Sequence, residues 1–223
     1  VAGGKFMIKA VIFDLDGTLA FTLPDLTEGM NRARACYGLP PVTEEFILSF
    51  INGTTDQFIH NSFPAGQSEE YYAKAKQTYL GQYGKCYLHN TTAYDGMAET
   101  LSALRADGFP LAVFTNKDND HANDIVKKLY GDDVFEEILG TGRFPGKPSP
   151  DGALYLAGKY GVSPSECAFV GDSDVDMKTA KNAGMVAVGA TWGYREKEIL
   201  IAAGADVTVD RPCDIYDIIK KIK

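Results

Sequence analysis

Asp14 and Asp16 stand two residues apart in Asp14-Leu15-Asp16-Gly17-Thr18, directly after an apolar run. Side chains alternate along an extended segment, so the two carboxylates point the same way. Gly17 lets the chain turn sharply behind them. Like charges placed this way repel unless a proton or a cation stands between them. Three other segments carry polar groups after apolar runs or before helix patterns: Thr115-Asn116, Lys147 in Gly146–Pro150, and Gly171-Asp172-Ser173-Asp174-Val175-Asp176. Taken singly, Thr115 and Asn116 suit a turn, Lys147 a solvated position, and Asp172 and Asp174 helix caps. Taken together, Asp14, Asp16, Asp172 and Asp176 gather four negative charges against the single charge of Lys147. A hard divalent cation with oxygen ligands would offset two more, and Mg²⁺ is the natural candidate. Such a site would accept a phosphate dianion through Lys147, Thr115 and backbone N–H groups at the Gly17 turn. The cation and the lysine would then oppose the charge of a transferring phosphoryl group.

These groups can meet only if the elements before them lie side by side. Short, nearly continuous apolar runs occur at Ile8–Phe13, Leu111–Phe114, Ala168–Val170 and Val186–Val188, with weaker ones at Phe135–Leu139 and Asp206–Val209. Runs of this kind suit strands buried on both faces of a parallel sheet. Helix patterns alternate with them at Gly96–Ala106, Asp118–Tyr130, Asp151–Tyr160 and Asp174–Ala183. The order predicts an α/β fold, a Rossmann-like parallel sheet core that binds ligands beyond the carboxyl ends of its strands. The interval between Thr18 and Thr115 is too long for one crossover. Within it Leu23–Tyr37, Thr43–Ile51, Thr55–Ser62 and Ser68–Tyr83 read as helical, with no convincing strand. We expect an inserted small α-helical cap domain over residues 23–90, with the core formed by residues 7–22 and 91–223.

The 223 residues carry 30 acids against 22 bases, a net charge of −8. That balance argues against nucleic acid and against an anionic membrane surface as partners. Cys36, Cys86, Cys167 and Cys213 are dispersed, without CxxC spacing, which suits reduced thiols and a cytoplasmic setting. No apolar run approaches the roughly 18 residues of a membrane span. Met7 reads as a natural start, with Val1–Phe6 a foreign remnant or a flexible leader.

The sequence resembles the haloacid dehalogenase-like hydrolase superfamily, whose four motifs occur in order. They are DLDGT at Asp14–Thr18, FTN at Phe114–Asn116, GKPSP at Gly146–Pro150 and VGDSDVD at Val170–Asp176. The resemblance covers nearly the whole chain and is closest to the phosphoglycolate phosphatase-like branch. Asn182-Ala183-Gly184 and Thr191-Trp192-Gly193-Tyr194 also look like that branch. It implies an Mg²⁺-dependent phosphatase for small phosphorylated metabolites, working through an aspartyl-phosphate. Asp14 would be the nucleophile, and Asp16 the general acid and then the base. Gly17, Thr18, Thr115, Asn116 and Lys147 would bind phosphate, with Lys147 also orienting Asp14. Asp14, Asp172 and Asp176 would hold the metal, with Asp16 contributing its backbone carbonyl. Asp174 would be mainly a cap.

The acid at Asp16 favours phosphoryl transfer over dehalogenation, since dehalogenases of this superfamily lack it. A β-phosphoglucomutase, a pyrophosphatase or a nucleotidase would use the same machinery, and a non-catalytic phosphate-binding module the same fold. A phosphonatase would need a Schiff-base lysine from the cap, and nothing marks Lys74, Lys76 or Lys85 for that role. The chain departs from its relatives at Phe21, where they usually carry an acid; this segment would serve as a hinge or line the cleft. Specificity is expected from the cap. There Asn52-Gly53-Thr54-Thr55 would either face the site or simply start a helix, with Thr54 or Thr55 as its N-cap. Arg32, Arg34 and Trp192 are lesser candidates, and His60, His89 and His121 lack metal-ligand spacing. A monomer or a homodimer is expected.

Overall fold

Strand β1 (Ala10–Phe13) is wholly buried, and its alternate side chains feed two separate cores. Val11 and Phe13 join a cluster with Met97, Leu101, Ile125 and Ile215, while Ala10 and Ile12 join Phe114, Leu156, Phe169 and Met177. A strand covered on both faces has no polar side to show, which is why its sequence reads as an unbroken apolar run. The computed structural model describes residues 7–51 and 53–222, so the leader expected at Val1–Phe6 lies outside them.

After β1 the chain makes β2 (Ala20–Phe21) and four helices, α1 (Leu23–Ala35), α2 (Glu44–Leu48), α3 (Thr55–Ser62) and α4 (Glu69–Tyr83). It returns through β3 (Thr92–Ala93), α5 (Met97–Ala106), β4 (Leu111–Asp118), α6 (Asn119–Tyr130) and β5 (Glu137–Thr141). Then follow α7 (Asp151–Lys159), β6 (Cys167–Gly171), α8 (Asp174–Ala183), β7 (Val186–Ala190), α9 (Lys197–Ala202), β8 (Val207–Val209) and α10 (Asp214–Lys221). The six-stranded sheet runs β5-β4-β1-β6-β7-β8 with all pairings parallel. The order reverses direction beside β1, the place where α/β sheets open a crevice.

Two expectations need correction. The interval after Thr18 does contain strands: Ala20–Phe21 pairs antiparallel with Thr92–Ala93. Two-residue strands leave no periodicity to read, so sequence reasoning passes over them. Strand β4 also continues past Phe114 to Asp118, carrying Thr115, Asn116 and Lys117 on extended backbone rather than in a turn.

Helices α1, α3 and α4 pack on one another around Leu26, Met30, Phe58, Phe63, Tyr79 and Tyr83, a third core apart from the sheet. The two chain segments that join these helices to the sheet are tied together. Asp25 of α1, fully buried, accepts hydrogen bonds from the Asn90 and Thr91 backbone N–H groups at 2.8–3.0 Å and from the Thr91 hydroxyl at 2.8 Å. A buried carboxylate needs partners for its oxygens, and these donors supply them while pinning the two segments together. No described helix is long and apolar enough to cross a membrane.

Candidate active site

Asp14, Asp16, Thr115, Lys147 and Asp172 lie toward the carboxyl ends of neighbouring strands or in the loops after them, and Asp176 in the first turn of α8. Lys147 Nζ joins two of the acids, lying 2.6 Å from Asp14 Oδ1 and 2.6 Å from Asp176 Oδ1. Asp176 is the third residue of α8, whose N-cap is Ser173. Asp176 Oδ2 accepts from the Ser173 N–H at 3.1 Å and from its hydroxyl at 2.6 Å. The capping box thus aims the other oxygen of Asp176 at Lys147. Asp174, expected as the cap, instead pairs with Lys178 one turn along. The reason is local: a serine hydroxyl at the N-cap reaches the third N–H of the helix, and Ser173 stands there.

Asp172 is held from both sides, accepting from the Thr18 hydroxyl at 3.0 Å and from the Tyr194 N–H at 2.7 Å. Gly17 passes close beside it at φ +85, and a Cβ there would stand 2.2 Å from Asp172 Oδ2. Only glycine satisfies both the left-handed backbone and that approach. Asn116 clamps the backbone of Lys147, with Lys147 N–H donating to Oδ1 at 2.7 Å and Nδ2 donating to the Lys147 carbonyl at 3.0 Å. Thr18 and Asn116 thus hold their neighbours in place. The Thr115 hydroxyl accepts from the Lys117 N–H at 3.2 Å.

One carboxylate oxygen from each of Asp14, Asp172 and Asp176 lies within 4.8 Å of the others. Burial, chiefly, and the charge of Asp176 push the Asp14 carboxyl up to about 7 despite Lys147. Burial, then Asp176 and Asp14, push Asp172 well up too. Burial opposes the charge of Lys147, yet Asp14 and Asp176 outweigh it and hold the ammonium firmly protonated. Were all three acids ionised, one ammonium would leave two negative charges without a partner, a balance that protons or a bound cation must restore. The donor set is all oxygen, which fits a hard divalent cation such as Mg²⁺ and not a soft metal.

Asp16 is turned elsewhere. Its Oδ1 accepts from Lys117 Nζ at 2.8 Å and from the Thr22 hydroxyl at 2.5 Å. Thr22 in turn meets the Tyr194 hydroxyl at 3.1 Å. Sequence reasoning missed Lys117. The signal was present, since it stands two residues after Thr115 and therefore on the same side of an extended strand. Phe21 does not line the cleft: its ring lies 6.3 Å from that of Tyr94 and 6.4 Å from that of Tyr194. Trp192 donates to the Thr18 carbonyl at 3.1 Å and so steadies the turn from outside.

A cavity of about 70 Å³ opens over these groups. Its sheet-side wall holds Asp14, Asp16, Thr115, Asn116, Lys117 and Lys147. Its opposite wall holds Leu26, Ile51, Phe58, Tyr79, Leu80 and Tyr83 from the inserted helices. Gly53 and Thr55 also line it, while Thr54 caps α3 by accepting from the Gln57 N–H at 3.3 Å, so these three residues do both things expected of the turn, whose Asn52 lies outside the described residues. Arg32 pairs with Glu28, and Arg34 donates to the Pro40 carbonyl at 2.9 Å; neither lines the cavity. Lys74 and Lys76 pair with Glu70 and Asp56, each at 2.8 Å. His121, set aside for want of metal-ligand spacing, does line the cavity.

The profile of the haloacid dehalogenase-like hydrolases matches residues 11–190. The phosphoglycolate phosphatase of Mannheimia succiniciproducens is 38% identical over 194 residues, 83% of this chain and 87% of that protein. That of Chromobacterium violaceum is 34% identical over 218 residues, 96% of this chain and 97% of that protein. A crystal structure of a predicted phosphoglycolate phosphatase from Haemophilus somnus superposes with a TM-score of 0.89 at 33% identity, covering 96% of this chain and 99% of that one.

Proposed function

The chain belongs to the haloacid dehalogenase-like hydrolase family, and we propose that it is an Mg²⁺-dependent phosphatase of small phosphate monoesters, with 2-phosphoglycolate the first candidate. The observation that carries this reading is the Asp14–Lys147–Asp176 bridge beside Asp172, a buried acid cluster with too little positive charge of its own. Relatives of similar length named phosphoglycolate phosphatase support the choice of substrate.

In this reading Asp14, Asp172, Asp176 and the Asp16 carbonyl hold Mg²⁺, which when bound supplies positive charge to the phosphoryl oxygens. Lys147 binds the same oxygens and fixes the attacking carboxylate of Asp14. An Asp14 oxygen forms a bond to phosphorus while the ester P–O bond breaks. The departing oxygen takes its proton from Asp16, which Lys117 and Thr22 hold in one orientation. Asp16, now a carboxylate, takes a proton from water; that water oxygen bonds to phosphorus and the bond to Asp14 breaks. Inorganic phosphate leaves and both aspartates are restored. Two easier steps replace one hard one. The helices of residues 23–90 act as a cap that excludes water during the first step and selects the leaving group.

The test is phosphate release from a panel of monoesters with Mg²⁺, ranked by kcat/KM, with and without EDTA. We expect release from short acid-bearing esters and its loss in EDTA. Isomerisation of a sugar phosphate without release would overturn the reading.

A further inference from the structure

Two buried polar atoms, on residues that line the cavity, take no part in the reaction above. The Tyr83 hydroxyl and His121 Nδ1 have no hydrogen-bond partner among the described residues. Tyr83 is only 2% exposed, and both residues line the cavity that holds Asp14 and Asp16. Their rings stand nearly perpendicular with centroids 5.2 Å apart. His121 Nδ1 lies 3.4 Å from Asp118 Oδ1 without the alignment of a hydrogen bond. A buried polar group left unpaired costs about 1–3 kcal/mol, so a ligand that pairs with it is favoured over one that does not.

Lys117 completes the group. Its Nζ lies 4.9 Å from the centre of the Tyr83 ring, and one of its N–H groups goes to Asp16. An ammonium has three N–H groups, so donors remain. The other lysine of the cavity, Lys147, is already shared between Asp14 and Asp176.

Resting on the phosphatase reading, we infer that Tyr83, Lys117 and His121 form the leaving-group subsite, which takes a short alcohol bearing a carboxylate. The size fits, because about 70 Å³ is small beside the several hundred Å³ of pockets for larger ligands. The polarity fits too. Burial and the charge of Asp16 keep the proton on Tyr83, so its hydroxyl donates. Burial also lowers the pKa of His121, against the pull of Asp118, leaving a neutral ring. A carboxylate offers two acceptor oxygens to the tyrosine O–H and the ammonium, with the imidazole beside them. A plain alkyl group would leave the hydroxyl unpaired.

The test compares kcat/KM for 2-phosphoglycolate with that for ethyl phosphate, which has the same phosphoryl group and no carboxylate, in Tyr83→Phe and His121→Phe. We expect the native chain to prefer 2-phosphoglycolate by at least about tenfold, and Tyr83→Phe to cut that ratio by roughly tenfold, within the 1–3 kcal/mol of an unpaired buried group. His121→Phe keeps a ring against Tyr83 and should lower the ratio as well, even if the Tyr83 variant folds poorly. An unchanged ratio in both variants, or no preference in the native chain, overturns the subsite. No release from any monoester overturns the phosphatase reading itself, and the subsite with it.

Discussion

The two walls of the cavity are built by opposite means. The sheet-side wall is charged, and the groups in and behind it are over-determined: behind it Asp172 is gripped by Thr18 and the Tyr194 backbone and Asp176 by Ser173 and Lys147, and in it the Lys147 backbone is held by Asn116. The helical wall is aromatic and aliphatic, and its buried Tyr83 hydroxyl has no partner among the described residues. Stacked Tyr79 and Tyr83, with centroids 5.5 Å apart, present area where the facing wall presents charge. The difference separates two tasks. Stabilising a phosphoryl group demands fixed charges at fixed distances, whereas choosing a leaving group demands shape and a few waiting donors.

If the charged wall sets the rate, the largest loss comes from the nucleophile. Asp14→Asn keeps the shape and removes the attacking charge, and kcat should fall at least roughly 10³-fold with the fold intact. Steady-state kinetics beside a circular dichroism spectrum checks this. Lys117→Met leaves Asp16 to Thr22 alone, and kcat should fall by roughly 10–100-fold, the low end of a general-acid contribution. A rise in KM alone, with kcat unchanged, would move Lys117 out of the proton-transfer machinery.

The acid cluster also makes stability depend on pH and cation. The folded chain raises Asp14 to about 7 and raises Asp172 as well, so it keeps protons that unfolded aspartates release near pH 4. Where the folded state binds more protons, stability falls as pH rises. Metal-free protein should therefore lose Tm between about pH 4 and 7. In the proposed reading Mg²⁺ would bind the deprotonated acids, so at a hundredfold excess over Kd it would add about 2.7 kcal/mol. That corresponds to roughly 5–10 °C in Tm at pH 8, with little gain at pH 5. Differential scanning calorimetry at both pH values decides it, and an equal gain at both would count against the cluster as the binding site. The smallest effect belongs to the other wall: Phe58→Leu should lower Tm by no more than about 6 °C, as conservative core swaps cost under roughly 1.5 kcal/mol. It should reorder the monoester ranking more than it lowers the best kcat.

Much of the charged wall was legible in the sequence because each group sits at a strand end, and the buried strands announce themselves as apolar runs. Asp14, Asp16, Thr115, Lys147, Asp172 and Asp176 were all placed that way. Lys117 was missed because β4 was read as ending at Phe114, so a lysine on extended backbone looked like a loop residue. Tyr83 and His121 were not legible at all. One closes α4, the other stands in the first turn of α6, and only packing brings them together. The short β2–β3 pair was lost for a related reason, since two residues carry no period.

The central claim is that phosphate passes through the Asp14 carboxylate. The direct measurement is borohydride trapping of enzyme quenched during turnover of 2-phosphoglycolate with Mg²⁺, followed by peptide mapping. Hydride reduces an aspartyl-phosphate to homoserine and leaves a free aspartate untouched. We predict reduction at position 14 and nowhere else, dependent on substrate. Reduction at another residue, or an intact Asp14 while phosphate is being released, would contradict it.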